Sequence, residues 1–150
     1  MNWKLIFVGG IVYYAAQFIV GMGTGGIIHS GILVEAYRST AEFWRPELNQ
    51  VPPDMAALMP RWIATGLIAA FLSAAAYGWI RPALAGPGWQ KGVKFGGIVV
   101  IISTCCMLGW SGVFGLPETI WFWWWVESLA YFLIGGAVLG WYAERYAPAR

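Results

Sequence analysis

Charged side chains are nearly absent from four long stretches of this 150-residue chain, near residues 5–30, 62–80, 93–114 and 119–142. A hydrocarbon core about 30 Å thick requires about 20 apolar helical residues to cross it. Each stretch approaches or exceeds that length. The apolar runs are continuous, whereas strands of a membrane barrel alternate in segments of about ten residues. With hydrophobic residues at 59% and charged residues at 11%, little polar surface remains to solvate a water-soluble domain. The expected fold is all-α, a transmembrane four-helix bundle forming one domain over residues 1–150. Residues 35–60 are then its only sizeable extramembrane loop.

The first stretch follows Lys4 as a secretory signal would, but its length reads as a retained membrane anchor. Alternation across four spans puts the N-terminus, the second loop and the C-terminus on one side. That side holds Lys4, Arg81, Lys91, Lys94, Arg145 and Arg150, against Arg38, Arg45 and Arg61 on the other. The positive-inside rule therefore predicts a multi-pass protein of the bacterial inner membrane with both termini cytoplasmic. Tryptophans fall near the same boundaries, with Trp3, Trp79, Trp89 and Trp141 towards the basic side and Trp62, Trp110 and Trp121 towards the other. A net charge of +2, scattered over span ends, argues against nucleic acid as a partner.

Small residues predict how the spans pack. Gly66, Ala70, Ala74 and Gly78 recur every fourth residue, and Gly92 with Gly96 and Gly136 with Gly140 repeat the spacing. Such smooth stripes let helices approach closely, here chiefly within the chain. Gly21, Gly23, Gly25 and Gly26 each weaken helix propensity by roughly 1 kcal/mol relative to Ala, so a bend or unwound turn is expected there. Pro46, Pro52, Pro53 and Pro60 divide the long loop into short pieces. Its start, Glu35 to Trp44, reads either as an interfacial amphipathic helix or as an irregular cap.

Among candidate functional residues, Glu127 comes first, because an ionised carboxylate at membrane depth must be paired, protonated or hydrated. A rise of about 1.5 Å per residue places it roughly 12 Å inside a span starting at Thr119. Tyr131 shares its face one turn on. Gln17, His29, Ser103 and Thr104 are polar partners available from other spans. The group reads as a proton or cation site, as an anchor for a polar head group, or as a neutral carboxyl held by interhelical hydrogen bonds.

His29 is the single histidine, expected near the outer surface as a satisfied interfacial side chain or as an axial ligand. Trp121, Trp123, Trp124 and Trp125 are too dense to share one helix face, so some rings must meet lipid, a partner or a flat apolar ligand such as a carotenoid, quinone or porphyrin. Composition names no cofactor. Gly21 to Gly26 fits G-x-G-x-x-G by spacing, but no strand precedes it, so it is set aside as a dinucleotide site. Cys105 and Cys106 are adjacent within a span and cannot staple distant segments. They read as inert buried thiols or as a soft metal site.

Tyr13-Tyr14 followed by Phe18, Gly92 and Gly96 opening the third span, and Glu127, Tyr131 and Gly135-Gly136 in the fourth together resemble an uncharacterised family of small four-span bacterial integral membrane proteins. The likeness covers most of the chain and implies a shared bundle without assigning an activity. In such families a histidine often follows the fourth-span acid, and this chain lacks it. Cys105-Cys106 is also similar to the cysteine pair of mercuric-ion transport proteins, which carry it on the first span. Four-span glutathione-linked eicosanoid enzymes need an arginine-rich cytoplasmic pattern that is missing here.

The expected function is that of a non-enzymatic accessory or structural subunit, packed against membrane lipid, other membrane subunits or a second copy of itself. The alternatives are a small proton, cation or solute transporter using Glu127 and Gln17, or thiol-based metal transport through Cys105 and Cys106.

Overall fold

The computed structural model describes residues 2–148 and is all-α. Four helices are long and apolar enough to span a bilayer: α1 (Leu5–Ile32), α3 (Met55–Ile80), α4 (Gly88–Ser111) and α5 (Glu118–Tyr146). A short α2 (Val34–Ser39) follows α1. The expected bundle is present, and its span limits shift. Helix α3 begins at Met55, well before residue 62, because the Asp54 carboxylate accepts the Ala57 N–H at 3.1 Å and caps the first turn. Pro60 therefore lies inside α3 and does not break the loop. Helix α4 stops at Ser111, short of residue 114, where the Trp110 carbonyl accepts turn bonds from Val113 and Phe114.

The helices pack in the lateral order α3, α1, α5, α4, and α3 and α4 touch only lightly. Small residues set that order. At Gly66 the Tyr14 ring fills the space a Cβ would need, and Phe71 does the same at Gly10. Ala70 and Ala74, further along the stripe, are buried and Gly78 faces Leu5, so the predicted stripe is the face α3 turns to α1. Gly92 and Gly96 on α4 lie directly against the α5 backbone at Gly136 and Phe132. Gly140 meets Gly88 in the same seam. The small-xxx-small spacings join spans of one chain, as expected. In the turn between α3 and α4, Gly86 has φ +106°, a conformation that side chains rarely adopt.

Near the basic end all four spans share a core of Leu5, Tyr13, Tyr77, Phe95, Leu139 and Tyr142. There the Arg81 guanidinium donates to the Ala147 carbonyl at 2.7 Å and the Asn2 amide donates to it at 3.4 Å, so the start of α1 and the ends of α3 and α5 meet. Arg150, counted with this end from the sequence, lies outside the described residues.

The glycine run in α1 does not unwind. The helix is continuous through Gly21 to Gly26 and instead widens beyond it, where Leu33 N–H donates to the Ile28 carbonyl at 2.8 Å across five residues. The continuous amphipathic helix from Glu35 to Trp44 is not formed. Helix α2 ends at Ser39, and a separate turn over Ala41–Phe43 follows. The Thr40 hydroxyl bonds back to the Ala36 carbonyl at 2.7 Å, competing with the helix ladder, and accepts the Trp44 indole N–H at 3.0 Å. The segment is the irregular cap, folded over the ends of α1 and α5.

Candidate functional site

The cap, α1 and α5 converge on Glu127. Its Oε2 lies 2.9 Å from His29 Nε2, and its Oε1 accepts from the Thr24 hydroxyl at 2.5 Å. Thr24 retains a second, longer option in the Val20 carbonyl at 3.1 Å. Tyr131, one turn along α5, turns its hydroxyl towards Thr24 and Glu127, occupying space that a Cβ at Gly21 would need. One glycine of the run thus makes room for a member of the site.

Beyond His29 the chain of contacts continues into the cap. Nδ1 lies 2.6 Å from the Tyr37 hydroxyl, and that oxygen also accepts the Trp124 indole N–H at 2.9 Å. These partners assign the proton positions. An indole nitrogen only donates, so the Tyr37 oxygen is an acceptor towards Trp124 and its own proton is free to point at Nδ1. Nδ1 is then the acceptor, and Nε2 carries the hydrogen donated to the carboxylate. The direction runs from Trp124 through Tyr37 and His29 to Glu127. Burial holds the Tyr37 phenol above its usual range. The Trp124 hydrogen bond works against this, and the negative charge of Glu127 adds to it. The phenol therefore keeps the proton that the chain requires.

Access is graded along this line. The His29 side chain is 36% exposed, while that of Glu127 is 9% exposed behind it. The imidazole stacks on Tyr37 with ring centres 5.8 Å apart, Tyr37 meets Trp44 edge-on at 5.1 Å, and Trp44 meets Trp124 at 5.9 Å. Ile28, Leu33 and Ile120 form a small buried core beneath these rings. A carboxylate with hydroxyl and imidazole donors, walled by aromatics and reached through one imidazole, is suited to holding a proton or a small cation.

The expected site residues divide. Glu127, Tyr131 and His29 come together, and Trp124 joins them through its N–H. Trp123 packs on the small core, Trp121 meets Trp124 edge-on at 5.7 Å, and Trp125 turns away to donate to Thr104 of α4 at 3.1 Å. Thr104 and Ser103 are thus not partners of the carboxylate. Nor is Gln17, which packs with Tyr13 against Gly135, two turns further along α5. Trp121, Trp124, Trp44, Trp110 and Phe114 line an apolar groove of about 410 Å³ beside the site. Cys105 and Cys106 are exposed, contrary to the buried thiols expected, and among the described residues no three metal-ligating side chains gather. Thr24 and Tyr37 were not foreseen. A lone threonine among glycines and a tyrosine in a loop carry no one-dimensional mark of their partners, Glu127 and Trp124, 103 and 87 residues away.

Compared with family models, characterised proteins and solved structures, the chain matches none, which leaves the likeness drawn from its sequence neither strengthened nor weakened.

Proposed function

We propose that this multi-pass membrane protein is a small, non-enzymatic proton or cation carrier whose binding group is Glu127, with His29 as its gatekeeper. The observation that carries the reading is the His29 to Glu127 contact of 2.9 Å, in which a partly exposed imidazole stands in front of a buried carboxylate. Ionisable groups at membrane depth are costly and mark ion pathways when they face a bundle interior. Proton uptake balances simply along the chain. The Tyr37 O–H turns away from Nδ1 of His29, one proton enters there and is then donated to the Tyr37 oxygen as a hydrogen bond, one leaves Nε2 for Oε2 of Glu127, the imidazole ends neutral, and the carboxylate becomes a carboxylic acid. Gln17 and Tyr13, against Gly135 on the same seam, would extend the path inward.

In vesicles carrying a pH-sensitive dye and an imposed gradient, the purified protein is expected to speed proton entry, and Glu127→Gln is expected to return it to the protein-free leak. Equal entry with and without that carboxylate would reject the assignment.

An accessory role is favoured by a second observation. Space beside Gly23, Gly25 and Gly26 is open, and Ile19, Met22 and Ile27 on the same helix are 73%, 67% and 68% exposed. This face fits another membrane helix, from a second copy or a different subunit, in place of lipid. A cysteine at Gly26 should then cross-link in native membranes into a discrete larger species. A monomer after oxidation would speak for lipid alone. The cellular setting that accompanies both readings is a bacterial inner membrane with cytoplasmic termini.

A further inference from the structure

At the end of the bundle opposite Glu127, the start of α1, the end of α3 and the end of α5 enclose a cavity of about 850 Å³. Two cations, Lys4 and Arg81, line it together with Ala75 and Gly78. Trp3 and Trp79 also line it, 58% and 74% exposed, as side chains at a membrane boundary are. One nitrogen of Arg81 is committed, since Nη1 donates to the Ala147 carbonyl at 2.7 Å. Its Nε is buried and has no partner among the described residues. Lys4 takes part in no ion pair or side-chain hydrogen bond there. The acid of this region, Glu144, faces Gly88 on the α4 side of α5 and does not line the cavity.

Two cations with no acid among the described lining residues, a guanidinium whose N–H groups are not all paired and a small-residue wall leading between helices describe a particular ligand chemistry. We propose that this cavity seats the phosphate of an anionic phospholipid, with Arg81 and Lys4 on the phosphate and an acyl chain along Ala75 and Gly78. A guanidinium matches phosphate oxygens geometrically, and basic pockets between spans bind acidic head groups. The shape of the wall distinguishes a lipid from free phosphate, which would leave the apolar half of the cavity unused. This site is independent of the Glu127 reading.

The test is native mass spectrometry of the detergent-purified protein with equal amounts of dioleoylphosphatidylglycerol and dioleoylphosphatidylcholine, and separately with inorganic phosphate. The phosphatidylglycerol adduct should dominate. Lys4→Gln should weaken it about fivefold, the effect of one basic residue on an acidic lipid, while Lys91→Gln leaves it unchanged. Arg81→Gln also breaks the bond to Ala147, so Lys4→Gln, whose ammonium has no partner to lose among the described residues, is the deciding variant. Equal retention of the two lipids, or an adduct indifferent to Lys4, would overturn the proposal. Displacement of the lipid by millimolar phosphate would reassign the site to the free anion.

Discussion

Tyr37 shows how much one side chain outside the spans can determine. It accepts from Trp124, faces His29 Nδ1 and stacks on the imidazole, so three contacts to two neighbours depend on a single side chain. Tyr37→Phe keeps the ring and removes the hydroxyl, leaving the indole N–H and the imidazole acceptor unsatisfied. The expected cost is about 1–3 kcal/mol, read as a lower melting temperature in detergent. The nitrogen-15 shifts of His29 should also change, because Nδ1 loses the donor that assigns its tautomer. Because the folded phenol is held above its ordinary range, its contribution is intact below the unfolded value of about 10 and is lost as alkali carries the pH through the folded value. The stability gap between wild type and Tyr37→Phe should therefore narrow only in strong alkali. A gap that closed near neutrality would contradict the network.

At the scale of the element, glycine separates two kinds of position that look alike in the sequence. Gly136 lies against the backbone of Gly92, whereas Gly97, on the adjacent α4 position to Gly96, has no neighbour within reach of an added Cβ. Gly136→Ala should force α4 and α5 apart and cost about 1–3 kcal/mol. Gly97→Ala should be neutral or gain up to about 1 kcal/mol from helix propensity. Circular-dichroism melts of the two variants check the pair, and similar losses in both would mean that the seam is not the close contact described. The recurring spacing was legible because it obeys helical geometry. Which stripe meets which was not, because Gly66 accepts a ring from α1 while Gly92 accepts bare backbone from α5.

For the whole molecule, the bundle brings the start of α1 and the end of α5 together at Ala147, with the α3 to α4 turn beside them. Cysteines placed at Asn2 and Pro148 in a variant lacking Cys105 and Cys106 should therefore react with an impermeant reagent from the same side of intact or inverted membranes. Labelling from opposite sides would refute the four crossings.

Four helices of membrane-crossing length and apolar character, with Glu127 set within the last of them, were legible in the sequence alone, since the cost of burying charge in hydrocarbon acts on every residue regardless of its neighbours. The pairing of Tyr131 with that acid was legible for a related reason, as four residues make one turn of any helix. Only the tertiary structure decided that His29 and Thr24 complete the site, that the loop folds into a cap carrying Tyr37, and that Gln17 and Thr104 serve other contacts. Those outcomes depend on how far one helix slides and rotates against the next. That is settled by glycines meeting rings or backbone of other helices, and it joins His29 to an acid 98 residues away, where no local period can report it.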